Sequence, residues 1–196
     1  MSANSVVRVI QGLSRRIIRL TCIKVFVASK HDSRLSSVDG FTLLRVTQAN
    51  AKENQKIIEE AMREAGEPDG LITPRFMHGD EFFGWMNQGR VVSFGWVTYK
   101  DRTVGPVRFT DKINRVFLFN FYTLQEYRGR GLYSALLVDI RTVLRKENRT
   151  EFIIDVNAKN ETSLKGIQKA GFISLTEFNY ITIFNCWSFA SNRTVI

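Results

Sequence analysis

Cysteine and histidine are scarce: Cys22, Cys186, His31 and His78 are all that 196 residues contain. Two isolated thiols build neither a disulfide framework nor a CxxC metal site, so a reduced, cytoplasmic setting and structural roles for both are expected. With so few soft or imidazole ligands, no metal cofactor is expected. Long apolar runs are missing as well. No stretch approaches the roughly 20 residues of a membrane-spanning helix, and no signal peptide with a small-residue cleavage site is visible. The phosphate loops G-x-G-x-x-G and G-x-x-x-x-G-K-[ST] are absent, which excludes the ordinary dinucleotide and P-loop readings. Acidic residues are outnumbered, leaving a formal charge of +9. No recognised nucleic-acid motif accompanies that charge, so a nucleic-acid partner is not expected.

What is present suits one domain with a real core: 44% of residues are hydrophobic, fifteen of them Phe. The charge is uneven. Up to residue 34 there are seven basic residues against Asp32 alone. Val6, Val7, Ile10, Leu13, Ile17 and Leu20 interleave with those arginines at helical spacing. Such a helix either docks its apolar stripe on the domain, the favoured reading, or touches an anionic membrane surface. Residues 1–35 are therefore read as a basic extension, helix then strand (21–28), packed on or preceding a domain over 36–196. Farther on, a strand is expected at 41–46 and a helix at 49–65 with Ile57, Ile58, Ala61, Met62 and Ala65 on one face. Residues 71–79 match no single element, a loop over a substrate cleft being one reading, while 81–99 read as a hairpin about Asn87-Gln88-Gly89-Arg90 and 100–114 as a long connection.

The most informative segment is Arg128-Gly129-Arg130-Gly131-Leu132-Tyr133-Ser134. It follows the apolar run Val116–Tyr122 and opens a helical pattern carried by Leu132, Leu136, Ile140, Val143 and Leu144. Strand, glycine turn and helix N-terminus make an anion site, because successive N–H groups point outward where the helix dipole is positive. Gly129 and Gly131 let the backbone approach a phosphate with no Cβ in the way. A second strand-like run, Glu151–Val156, leads to a short helix that Asn160 would cap and Gly171 would stop. The strand at 116–123, helix at 131–146 and strand at 151–156 form a right-handed βαβ unit with parallel strands. Their near-continuous hydrophobicity fits burial on both faces.

These two segments resemble the GCN5-related N-acetyltransferase (GNAT) superfamily. The first, R-x-x-G-x-Y, is close to its R/Q-x-x-G-x-G/A loop. The second matches N-x-x-A/S-x-x-x-(Y)-x-K-x-G-F in register from Asn160 through Phe172. The resemblance spans roughly residues 41 to 184. It implies an α/β (α+β) fold: a mixed, mostly antiparallel sheet with a splayed parallel central strand pair and helices on both faces. It also implies acetyl-CoA as acyl donor. Backbone near Phe121, Tyr122 and Thr123 would pair with the pantetheine arm. The loop of Arg128, Gly129, Arg130, Gly131, Leu132 and Tyr133 would hold the pyrophosphate, with Ser134 as an auxiliary hydroxyl. Asn160 and Ser163 would lie across the arm. The implied reaction is direct transfer of the acetyl group to a primary amine of a small molecule, with the backbone near Tyr122 polarising the thioester.

Two departures bear on that chemistry. The tyrosine with which many members reprotonate the thiolate is here Ile167, and a glutamate base found early in the central strand of some members falls near Phe117. The proton-handling candidates are then Glu81, Asp80, His78 and Asp155, with Tyr122 as a candidate acid. Tyr133 stands where the family has a small residue, either packing under the loop or narrowing the phosphate site. The Gly131-Leu132-Tyr133 ending, with Gly95-Trp96-Val97, looks like acetyltransferases encoded for bacterial surface polysaccharides, which implies an amino-sugar or related small amine as acceptor. A protein N-acetyltransferase and a non-catalytic acyl-CoA-binding module stay open beside it.

Overall fold

The computed structural model describes residues 18–28, 38–68, 70–105, 107–183 and 187–190. Strand β1 (Ile18–Ala28) is rich in β-branched and aromatic residues, which favour extended backbone. Strand β2 (Thr42–Val46) leads through a 3-10 turn at Gln48–Asn50 into helix α1 (Ala51–Glu64). Ile58, Ala61 and Met62 form its buried face, and burial of each of the two larger side chains contributes about 2 kcal/mol.

Residues 71–79, for which a loop over a cleft is one reading of the sequence, contain helix α2 (Ile72–His78). Pro74 sits in its first turn, where a missing N–H costs nothing. Gly79, at φ 91°, ends it in the left-handed conformation. The expected hairpin is present as β3 (Glu81–Asn87) and β4 (Arg90–Thr98). Its two turn residues, Gln88 and Gly89, have φ 49° and 79°, as a type I′ turn requires. The stretch 100–114 is more than a connection. It folds into a small hairpin, β5 (Arg102–Val104) and β6 (Val107–Phe109), whose Val104, Val107 and Phe109 cover Ile23, Val25, Phe117 and Ile153.

The remaining elements are β7 (Arg115–Thr123), α3 (Leu132–Arg145), β8 (Glu151–Asn157), α4 (Glu161–Lys169), β9 (Ile173–Ile183) and β10 (Trp187–Ala190). Eight strands form one sheet in the order β10-β9-β1-β8-β7-β4-β3-β2, with the β7–β8 pair parallel and every other pair antiparallel. This is the mixed, mostly antiparallel sheet with a parallel central pair that the resemblance implied. Helices α1 and α2 pack on one face around Phe76, Phe82, Phe94 and Trp96, whose rings lie 5.2–5.3 Å apart. The other face packs on α3 through Leu132, Leu136, Leu137, Ile140 and Leu144.

The amphipathic pattern at the N-terminus lies outside the described residues as far as position 17. Residues 18–20 are strand rather than helix, and β1 is hydrogen-bonded on both edges, between β8 and β9. An early segment therefore supplies an interior strand, which joins β9 and β10 to β8.

Candidate active site

Strands β7 and β8 pair only from Arg115–Glu151 to Leu118–Ile154. Beyond Leu118 they part, and the site is built on that separation. Two features of β7 drive it. Asn120 takes a left-handed φ of 50°, and the register with β4 slips between Phe94 and Trp96, a bulge that bends a strand and re-aims its side chains. As a result Phe119 packs toward α1 and α2, whereas Phe121 packs toward α3. Gly95 opposite the bulge has no alternative: a Cβ there would lie 2.1 Å from the Phe121 ring.

A cavity of about 580 Å³ opens on the α3–α4 side of the gap, lined by Phe121, Tyr122 and Thr123, by the loop from Tyr127 to Ser134 except Arg130, and by α4. Gly129 and Gly131 both have φ 77°, a conformation that side chains with a Cβ resist. Gly131 is the N-cap of α3, and the first helical bond is Ala135 N–H to the Gly131 carbonyl at 3.0 Å. The amides of Leu132, Tyr133 and Ser134 precede it, so none has an intrahelical acceptor. All three residues line the cavity, at the positive end of the helix dipole.

The loop's arginines brace it as much as they charge it. Arg128 donates to the Thr123 carbonyl at 3.0 Å and lies over the Tyr122 ring, while Arg130 donates to the Glu126 carbonyl at 3.2 Å and lies over Tyr127. Ser134 Oγ donates to the Gly131 carbonyl at 2.9 Å, so its hydroxyl fixes the turn. Across the cavity, Asn160 Oδ1 caps α4 by accepting from Ser163 N–H at 3.1 Å.

Tyr133 packs rather than blocks the loop. Its ring meets Phe121 at 5.4 Å and lies against Gly166, where a Cβ would come within 2.5 Å. Burial pushes its phenol well above the ordinary tyrosine pKa, with the Asp155 carboxylate adding to the shift. Sequence reading passed over several lining residues: Tyr127, Thr162, Lys165, Gly166 and Lys169. The signal was there in Lys165 and Lys169, four apart on one helical face with Gly166 between them. Lys169 Nζ is 3.7 Å from where a Cβ on Gly131 would be.

The proposed proton carriers scatter. Glu81 is bound by Arg45 at 2.8 and 3.2 Å, and Arg45 also holds Glu147 beyond the C-terminus of α3. That puts Glu81 at the opposite end of α3 from the loop, a helix length of roughly 20 Å, and the structure does not bring it to the gap. Asp80 is buried and pairs with His78 Nδ1 at 2.9 Å. Ile167 is fully buried in the core, and Phe117 packs under the small hairpin. Asp155 alone of the four carboxylate and imidazole candidates stands on a strand bordering the gap, its Oδ1 held by Arg102 at 3.2 Å. Tyr122 lines the cavity and packs 6.0 Å from Phe94.

The fold has relatives. The solved GCN5-related N-acetyltransferase of Sphaerobacter thermophilus superimposes with a TM-score of 0.61 at 14% identity, covering 100% of this chain and 58% of its own. An acetyltransferase of the GNAT family from Colwellia psychrerythraea gives 0.58 at 15% identity, with coverages of 92% and 60%. AAC(6')-Iy, solved in complex with the bisubstrate analog CoA-S-monomethyl-acetylneamine, gives 0.51 at 19% identity, with coverages of 68% and 90%. The chain thus spans about three fifths of the length of the first two. Among curated proteins none matches. The sequence model of the acetyltransferase (GNAT) family matches residues 50–172, from the turn before α1 to the end of the second motif, and the chain belongs to that family.

Proposed function

We propose that this protein transfers the acetyl group of acetyl-CoA to the primary amine of a small molecule by direct attack on the thioester. One observation carries the reading: two parallel strands pair for four residues and then separate beside a rim of amides without acceptors. In this reading the amides of residues 129–134 hold the diphosphate, helped by Lys165 and Lys169. Phe121, Tyr122 and Thr123 run along the pantetheine arm, with Asn160 and Ser163 opposite. Acetyl-CoA supplies an activated carbonyl, and the Tyr122 amide polarises it.

Only a neutral amine has the lone pair to attack, so a proton must leave the acceptor. Asp155 is the best placed of the four candidates to receive it, directly or through water. We favour an amino-sugar or related small amine as acceptor, and the AAC(6')-Iy complex, with CoA and an acetylneamine in one molecule, supports a site that takes both together. The burial of Ile167 and Phe117, where relatives carry acid and base, favours a second reading, a binding module that does not turn over.

Thiol release from acetyl-CoA across an amine panel, run beside CoA titration calorimetry, separates the two. Release with any amine establishes the transferase. Tight CoA binding with no release across small amines, peptides and N-termini establishes the module, and no CoA binding overturns both.

A further inference from the structure

Beyond Leu118 the separated ends of β7 and β8 present two sides, and these two mouths of the gap differ. The α3–α4 mouth holds the amides and lysines described above. The other mouth is edged by Phe119, which packs toward α1 and α2, and by Asp155. If the carrier fills the first mouth, a directly attacking amine must come through the second, whose chemistry then selects the acceptor.

That second mouth is ringed by guanidinium groups. Arg75 from α2 and Arg102 from β5 both lie over the Phe119 ring, at 5.5 and 4.6 Å from its centre, and Arg75 also lies 4.8 Å over Trp96. Neither is fully engaged by its carboxylate. The Arg75–Glu67 pair is 3.7 Å apart, longer than a hydrogen bond. Arg102 reaches a single oxygen of Asp155 through Nε and Nη2 at 3.2 Å. Asn120, exposed on the bulge, donates to Glu67 at 3.4 Å and closes the ring of polar groups. The two cations oppose each other: burial, and then the Arg102 charge, hold the Arg75 guanidinium below its ordinary pKa, against pulls from Glu67 and Asp80. An anion between two half-buried guanidiniums relieves that repulsion and meets the planar donor fork that carboxylates and phosphates fit.

We propose that Arg75 and Arg102 form an anion subsite at the acceptor mouth, so that the acceptor is an amine carrying a carboxylate or phosphate on the same small molecule. This rests on the direct-transfer reading above. Arg75 and Arg102 act here as specificity residues, through binding rather than proton transfer.

The test uses the full chain saturated with CoA and matched ligand pairs: phosphoethanolamine against ethanolamine, glucosamine phosphate against glucosamine, and β-alanine against its amide. Calorimetry reads binding, and thiol release from acetyl-CoA reads turnover. At least one acidic partner is expected to bind roughly tenfold or more tightly than its neutral match, and the pair that does so tells phosphate from carboxylate. In Arg75→Gln and Arg102→Gln, each measured separately in case one fails to fold, that preference falls to about unity while CoA affinity stays within twofold. Equal binding of every pair, binding of none, or a preference that survives in the folded variants overturns the subsite. Acidic preference lost in the variants but with no thiol released keeps the subsite and removes acetyl transfer to these amines. Release from neutral and acidic amines alike keeps the transferase and removes the subsite.

Discussion

Replacing Gly131 with aspartate puts a carboxylate where the diphosphate is proposed to sit, and the geometry allows its effect to be worked out. A Cβ at this position meets only Lys169 Nζ at 3.7 Å and Ser134 Oγ at 3.9 Å, so the side chain fits. The left-handed φ of 77° costs a non-glycine residue about 1 kcal/mol, and Asp and Asn tolerate it best. The aspartate variant and its asparagine counterpart should both fold. A carboxylate about 5 Å from one phosphate charge, at an effective dielectric near 20, is repelled by roughly 3 kcal/mol. Lys169 offsets the weaker repulsion from a second phosphate charge, leaving about 3 kcal/mol net, or roughly a hundredfold in Kd. Asparagine has the same shape and strain without the charge, and should lose about tenfold or less. Calorimetric CoA titrations of wild type, Gly131→Asn and Gly131→Asp therefore isolate charge from shape, and the gap between the variants should narrow as salt is raised. If Gly131→Asp binds CoA as Gly131→Asn does, no phosphate lies against this turn, and the site is misassigned.

Lys169→Ala should weaken CoA binding about fivefold and flatten its salt dependence, as for one partly exposed ionic contact; an unchanged salt slope would place the diphosphate elsewhere. Gly95→Ala should destabilise the fold by about 1–3 kcal/mol, because a Cβ 2.1 Å from the Phe121 ring cannot be accommodated without moving a cavity wall, and thermal melts with and without CoA read both effects. Arg115, only 1% exposed, is held by Glu151 at 2.8 and 3.1 Å where β7 and β8 begin; Glu151→Gln should cost roughly 3 kcal/mol in urea denaturation at neutral pH. Arg115 holds the Glu151 carboxyl below its ordinary pKa, so this stabilisation is complete above about 4.3, the unperturbed value, and is lost as pH falls through the lower folded value. Wild type and Glu151→Gln should accordingly converge in stability on acidification, and a constant difference would contradict the ion pair. Removing residues 1–17 leaves β1 intact, and if the basic amphipathic pattern there meets membranes, binding to anionic vesicles should disappear with it; retained binding would dismiss that partner.

Much of the site was legible because its signals are local. The Gly129 and Gly131 turn, the start of α3, the Asn160 cap and the Gly171 stop each depend on a few consecutive residues, and the structure has all four. The α2 helix was legible in principle through Pro74 and Gly79, but seven residues give too short a period to weigh against a loop. Glu81 misled because a carboxylate at a strand start looks alike whether it faces a substrate or, as here, Arg45.

By itself, then, the chain's order of residues determined the glycine turn before α3, the hairpin and the βαβ unit, since backbone propensity, capping and periodicity act over a few residues. Tertiary structure alone decided the rest. The insertion of β1 between β8 and β9, the parting of β7 from β8 after Leu118, the nesting of Tyr133 on Gly166, and the meeting of Arg75 with Arg102 over Phe119 join segments far apart in sequence. Such contacts depend on which apolar faces pack together, and no local pattern of residues records that choice.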